Sequence, residues 1–191
     1  KFIMKILKTI ASTKFLRSKN DSEFYANSYS VVGNAPVLLE KEHGERIDSS
    51  KKIVRFNNAQ TKKYEIYTGN KTDYRILNCH YILNIHDDAY FQNQKNRYPN
   101  MKKYALYEFE NENLIFKTDP SWQLWQMKKV LEPAQEKNNV FFIHEDFYNL
   151  GKKITLDKEP SNGFYGLLMS LKFTNNINCF GFNFYKDDSN I

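Results

Sequence analysis

Short polar residues at the ends of apolar runs mark where this chain could hold an anion. Gly33-Asn34 follows Tyr29-Ser30-Val31-Val32. Asn57-Asn58 follows the run Lys52–Phe56. Ser161-Asn162-Gly163 opens a stretch with helical apolar spacing. Glycine lets a backbone approach a ligand closely or adopt positive φ. Asparagine offers one acceptor and two donors on a short side chain. A helix start presents free N–H groups and the positive end of the helix dipole, which favour a phosphate or carboxylate by about 0.3–2 kcal/mol. Each feature also has an ordinary structural explanation: a Gly-Asn turn, an Asn closing a loop, a Ser N-cap.

The elements that must position these residues can be read from the apolar patterning. Strands are expected over Tyr29–Val32, Lys52–Phe56, 73–77, 81–85, 103–109, 140–143 and 177–182. Pro36 suits the first turn of a helix through Leu38, Leu39 and Glu42, with Gly44 as its stop. A helix is expected over 87–98. Asp119-Pro120 opens another, carrying Trp122, Trp125, Met127, Val130 and Leu131. A short helix over 145–150 is closed by Gly151. Ser161 caps a helix with Phe164, Leu167, Leu168 and Leu171 on one face. Strands alternating with helices argue for an α/β sandwich with a mainly parallel central sheet. In such sheets ligands sit at the carboxyl ends of strands, where the polar turns fall.

A chain of 191 residues fits one domain with a real core, and no apolar run approaches a membrane span. The net charge of +6 is localised. Lys1, Lys5, Lys8, Lys14, Arg17 and Lys19 account for all of it, with no acid before Asp21. A basic field over a globular face, as nucleic-acid binding needs, is therefore not expected. Ile3, Ile6, Leu7 and Ile10 lie at helical spacing opposite Lys1, Lys5, Lys8 and Ser12. This basic amphipathic segment, residues 1–24, either packs on the domain or lies on an anionic membrane surface. Cys79 and Cys179 lack metal-ligand spacing and read as free buried thiols in a reducing compartment. His43, His80, His86 and His144 form no metal motif. His86-Asp87-Asp88 reads as a helix start with acids in its first turn, or as a metal-held nucleotide-sugar site. Asp187-Asp188 reads as a solvated loop.

Taken together, the polar turns resemble the sialyl motifs of the eukaryotic-type sialyltransferase family. Val31-Val32-Gly33-Asn34, Ile47-Asp48-Ser49 and Arg55-Phe56-Asn57-Asn58-Ala59 are similar to its long motif. Pro160-Ser161-Asn162-Gly163, an apolar helix and Gly181-Phe182 are similar to its short motif. Gly69-Asn70-Lys71-Thr72 lies between them and looks like its Gly-x-Lys-Thr element. The resemblance covers roughly residues 29 to 184 and points to a bacterial or viral member.

What the resemblance implies is a GT-A-variant, Rossmann-like α/β/α fold, with residues 25–191 binding a CMP-activated sugar. The donor-binding residues it implies are Asn34, Asn57, Ser161, Asn162, Gly163 and Asn183, with Asn183 standing where the family has Gly. The donor is expected to be CMP-sialic acid or a related CMP-sugar, the acceptor a glycan hydroxyl, and the displacement inverting, with no metal ion or other cofactor. A non-catalytic nucleotide-binding module and a metal-dependent transferase are the alternatives. Three departures stand out. The family's motif-linking disulfide is missing, which fits a cytoplasmic protein with peripheral membrane contact. Asn162 replaces Thr, and Glu159 stands where Tyr is common. The family's two functional histidines are expected after Ile191.

Overall fold

The computed structural model describes residues 2–17, 21–78, 92, 96, 109–117 and 135–183. Its centre is a six-stranded, wholly parallel sheet. The strands are β1 (Tyr29–Val32), β2 (Lys52–Phe56), β3 (Tyr74–Asn78), β4 (Asn113–Lys117), β5 (Asn139–Phe142) and β6 (Ile177–Phe180). Their order is β5-β4-β3-β2-β1-β6. β1 therefore lies between the strand that follows it and the last described strand. The fold is the mainly parallel α/β sheet expected, covered by helices. β1 is buried at every residue, and β2, β3 and β4 at all but one end residue. Such burial fits parallel strands covered on both faces, although Ser30, Arg55, Arg75 and Lys117 are buried polar members of them.

One face carries Tyr29, Val31, Val54, Phe56, Tyr74, Ile76 and Ile115. Against it pack helices α1 (Phe2–Ser12), α4 (Glu145–Ile154) and α5 (Asn162–Phe173). Phe15 sits among Phe24, Phe147 and Phe173, its ring 5.0 Å from that of Phe147. Leu16 forms an antiparallel bridge to Ile143, so the basic N-terminal segment shares this core. On the other face Val32 and Ile53 meet Leu38, Ile47 and Phe180. Short helices α2 (Gly44–Asp48) and α3 (Glu65–Thr68) lie on that side.

Several expectations are corrected. Pro36 starts only one 3-10 turn, Pro36–Leu39, and Gly44 opens α2 instead of stopping a helix. A Cβ on Gly44 would lie 2.0 Å from the Glu65 carbonyl oxygen, so the residue is a contact between α2 and α3. Helix α4 runs through Gly151 to Ile154, and Gly151 is small because the Tyr165 ring lies against it. In α5 the buried side includes Tyr165, Leu168, Met169 and Phe173, whereas Leu171 is 42% exposed. The last strand stops at Phe180, where Gly181 takes φ +68°. Cys179 is exposed because β6 is an edge strand, and its partial burial still pushes the thiol pKa up. β4 was not expected at all. The expected strand 81–85, all of the helix over 87–98 but residues 92 and 96, the helix from Asp119, most of strand 103–109, and Cys79, His80, His86, Asp87, Asp88, Asp187 and Asp188 lie outside the described residues.

Candidate functional site

Because every strand is parallel, the residues after β1, β2 and β6 emerge at one edge of the sheet. β1 is the point where strand order reverses, the usual place for a ligand in an open α/β sheet. There the two distant polar segments meet. The Gly33 N–H donates to the Phe180 carbonyl at 2.8 Å, and the Ala35 N–H to the Gly181 carbonyl at 3.1 Å. A Cβ on Gly33 would stand 2.3 Å from the Gly181 carbonyl oxygen, and one on Gly181 would stand 2.6 Å from that of Gly33. Only glycines allow this approach. Asn34 turns back over β2, its Nδ2 donating to the Phe56 carbonyl at 3.2 Å.

Asn57 is held on every side. Its φ of 47° is left-handed, a conformation asparagine tolerates better than most residues. Its N–H donates to the Ile76 carbonyl at 3.0 Å. Its Oδ1 accepts from the Asn78 N–H at 3.3 Å and from Asn162 Nδ2 at 3.0 Å. Its carbonyl accepts from Arg75 Nη1 at 2.8 Å.

Arg75 is only 3% exposed and acts as a clamp. Nε and Nη2 fork onto the Glu112 carboxylate at 2.6 and 2.9 Å, while Nη1 also reaches the Ala59 carbonyl at 3.1 Å. The Phe109 ring lies 4.3 Å from the guanidinium carbon. Such a two-toothed pairing fixes geometry as well as charge.

Helix α5 begins at the same edge. Ser161 Oγ accepts from the Phe164 N–H at 3.2 Å, an N-cap of the ordinary kind. Ser161→Ala is expected to cost about 1 kcal/mol in chemical denaturation. The first N–H groups of the helix, those of Asn162 and Gly163, have no intrahelical partner. Asn162 spends both side-chain N–H groups, on Asn57 Oδ1 and on the Ile76 carbonyl at 3.3 Å. Its Oδ1 is buried without a partner among the described residues, and the whole residue is 8% exposed. The Asn162 side chain therefore has no donor left for a ligand, and only its backbone N–H can supply one. Gly163 lies under Phe182, whose ring a Cβ would meet at 2.9 Å. Asn183 follows Phe182, half-buried.

A second group holds the turn before α5. Lys117, at the carboxyl end of β4, donates to Glu159 Oε1 at 2.7 Å and to the Pro160 carbonyl at 2.8 Å. The Tyr148 hydroxyl donates to Glu159 Oε2 at 2.7 Å. Glu159 thus takes part in anchoring the turn.

Beside Asn34 lies a cavity of about 230 Å³, lined by Gly33, Pro36, Arg55, Asn58 and Tyr64 among others. Arg55 is fully buried. It donates to the carbonyls of Lys71 (3.0 Å) and Thr68 (2.7 Å) and to Thr72 Oγ1 (3.1 Å). Burial, and then the nearby Arg75 charge, lowers its pKa to about 10. Asp48 completes this support by accepting from the N–H groups of Asn70 and Lys71 at 2.7 and 3.1 Å. The Asp48 and Gly-x-Lys-Thr segments therefore brace the cradle from behind.

Asn34, Asn57, Ser161, Asn162 and Gly163 are thus brought to one edge, as their positions in the sequence implied. Arg75, Glu112, Lys117 and Tyr148 went unnoticed. For Arg75 and Lys117 the available signal was a charge set inside or at the end of a strand. His43 packs on the Phe180 ring at 5.4 Å, and His144 caps α4 by accepting from the Asp146 N–H. Neither bonds to the cradle residues. Among the described residues no three His, Cys, Asp or Glu side chains gather into a metal site.

Comparison with known proteins accords with this geometry. Beta-galactoside alpha-2,6-sialyltransferase 2 of Bos taurus is 29% identical over 163 residues, covering 78% of this chain and 32% of that protein. The beta-1,6-galactosyltransferase GALT29A of Arabidopsis thaliana is 36% identical over 55 residues, covering 29% of this chain and 14% of that protein. The chain spans about a third of the length of the first sialyltransferases it matches. These relatives are eukaryotic and give no support to a bacterial or viral source. A mammalian sialyltransferase crystallised with Gal-beta-1-3GalNAc-ortho-nitrophenol shares the fold, with a TM-score of 0.57 at 17% identity over 94% of this chain and 64% of that one. The sialyltransferase CstII of Campylobacter jejuni, crystallised with cytidine-5'-monophosphate, has a TM-score of 0.50 at 15% identity over 85% of this chain and 70% of that one. The family model for glycosyltransferase family 29 (sialyltransferase) matches residues 1–191, and the chain belongs to that family.

Proposed function

We propose that this chain binds the donor in a transferase that moves sialic acid, or a related sugar, from a CMP-activated donor to a glycan hydroxyl. The observation that carries this reading is the meeting of Asn34, Asn57 and the start of α5 at one edge of the sheet. In the proposed reaction the acceptor oxygen attacks the anomeric carbon in line, CMP leaves, and the configuration inverts. Negative charge on the departing phosphate is met by the N–H groups of Asn162 and Gly163 and by the helix dipole. A general base takes the proton of the attacking hydroxyl. Such a base is worth about 10²- to 10⁴-fold. No metal ion takes part, so activity of the full-length protein should survive a chelator. Loss of activity with recovery on adding a divalent ion would overturn that step.

A galactosyl donor is the second reading, favoured by the likeness to the Arabidopsis galactosyltransferase. Calorimetric titration with CMP, CMP-sialic acid and UDP separates the two. Saturable binding of both cytidine compounds, with none of UDP, is the expected result. UDP binding without CMP binding selects the galactosyl reading, and silence with all three ligands removes the nucleotide reading.

A further inference from the structure

Helix α1 carries a wider apolar face than the domain covers. Ile10 is buried and Ile6 packs partly against the core where α1 lies on α5. Lys172 Nζ fastens the end of the helix, donating to the Ala11 carbonyl at 2.8 Å and pairing with Asp21 at 3.2 Å. The next stripe around α1 is also apolar, yet it faces solvent. Ile3 is 71% exposed, Met4 58% and Leu7 36%. Successive residues turn by about 100°, so these three lie side by side, with Lys8 and then Lys5 on the adjoining face. Both lysines are exposed, and no acid precedes Asp21 to balance them.

We propose that this stripe seats α1 in the plane of an anionic lipid surface. Ile3, Met4 and Leu7 enter the boundary between headgroups and acyl chains, while Lys5 and Lys8 meet lipid phosphates and carboxylates. A flat anionic interface satisfies both adjoining faces at once. A stable protein partner needs about 800 Å² from each side, far more than fewer than two helical turns expose. Each lysine near such a surface strengthens binding about five-fold, so the pair gives about twenty-five-fold. The apolar stripe then decides depth. None of these α1 residues is among the cradle residues, and the inference stands whatever sugar is transferred.

The test is co-sedimentation of the full chain with vesicles of phosphatidylcholine alone, or containing about 30 mol % phosphatidylserine. Binding to the anionic vesicles and not to the neutral ones is expected. Lys5→Glu with Lys8→Glu should weaken it more than ten-fold, and Ile3→Ser with Met4→Ser several-fold. All four side chains are exposed, so the fold tolerates these changes. The control pair Lys41→Glu with Lys51→Glu makes the same change in net charge elsewhere on the surface and should leave binding intact. No binding to anionic vesicles overturns the proposal. So does an equal loss in the control pair, which would mean attraction by net charge alone.

Discussion

Replacing Arg75 by methionine will lower the free energy of unfolding by about 3 kcal/mol, read as a shift in the urea midpoint at unchanged slope. The substitution leaves Glu112, which is mostly buried, without its partner. It also strips two donors from the Asn57 and Ala59 carbonyls. Methionine keeps much of the packing against Phe109, so the loss reports the polar clamp and not a cavity. A lysine at this position supplies charge but cannot fork onto both carboxylate oxygens and reach two carbonyls. Arg75→Lys should therefore recover only part of the stability. CMP affinity should fall in both variants under conditions where each is folded, because Asn57 loses the contact that holds its left-handed backbone. An unchanged urea midpoint for Arg75→Met would mean that the clamp contributes nothing.

The second large effect is expected at Asn57 itself. Asn57→Asp preserves size, left-handed tolerance and an oxygen able to accept from the Asn78 N–H and Asn162 Nδ2. It replaces the remaining amide nitrogen by a negatively charged oxygen. If that nitrogen faces the donor phosphate, a charged hydrogen bond worth about 1.5–3 kcal/mol is lost and like charges are set together. A loss of CMP affinity of about a hundred-fold follows, with little change in thermal midpoint. Asn57→Gly separates backbone from side chain, since glycine adopts positive φ freely. It should bind CMP weakly while remaining folded. Full CMP affinity in Asn57→Asp, measured by calorimetry, would remove Asn57 from the donor site.

The parts of the fold that could be read in the sequence are those where one local cause dominates. β1 and β2 appear at their expected bounds because each carries adjacent β-branched residues, Val31-Val32 and Ile53-Val54, and is ended by Gly or Asn. Ser161 was legible because an N-cap is a local event. β4 was not, since Leu114-Ile115-Phe116 is a brief run between polar residues whose strand character comes from pairing with β3 and β5. Gly44 and Gly151 misled for a related reason. Glycine reads as a stop along the chain, while in space each makes room for a neighbour 14 or more residues away. The cradle asparagines could be picked out by their setting at strand ends. Arg75 could not, because its role depends on Glu112 and Phe109, which adjoin it only after β4 has paired with β3.

Pairing of the first described strand with the last has a consequence for synthesis. While a ribosome is still making residues 57 to 176, β1 has β2 on one flank and, among the described strands, no partner on the other. That bare flank is a ladder of unanswered amides and carbonyls able to accept any passing strand. A chain cut short before Ile177 is thus expected to aggregate, rather than persist as a weakened binder, because its most buried strand would still be seeking a partner.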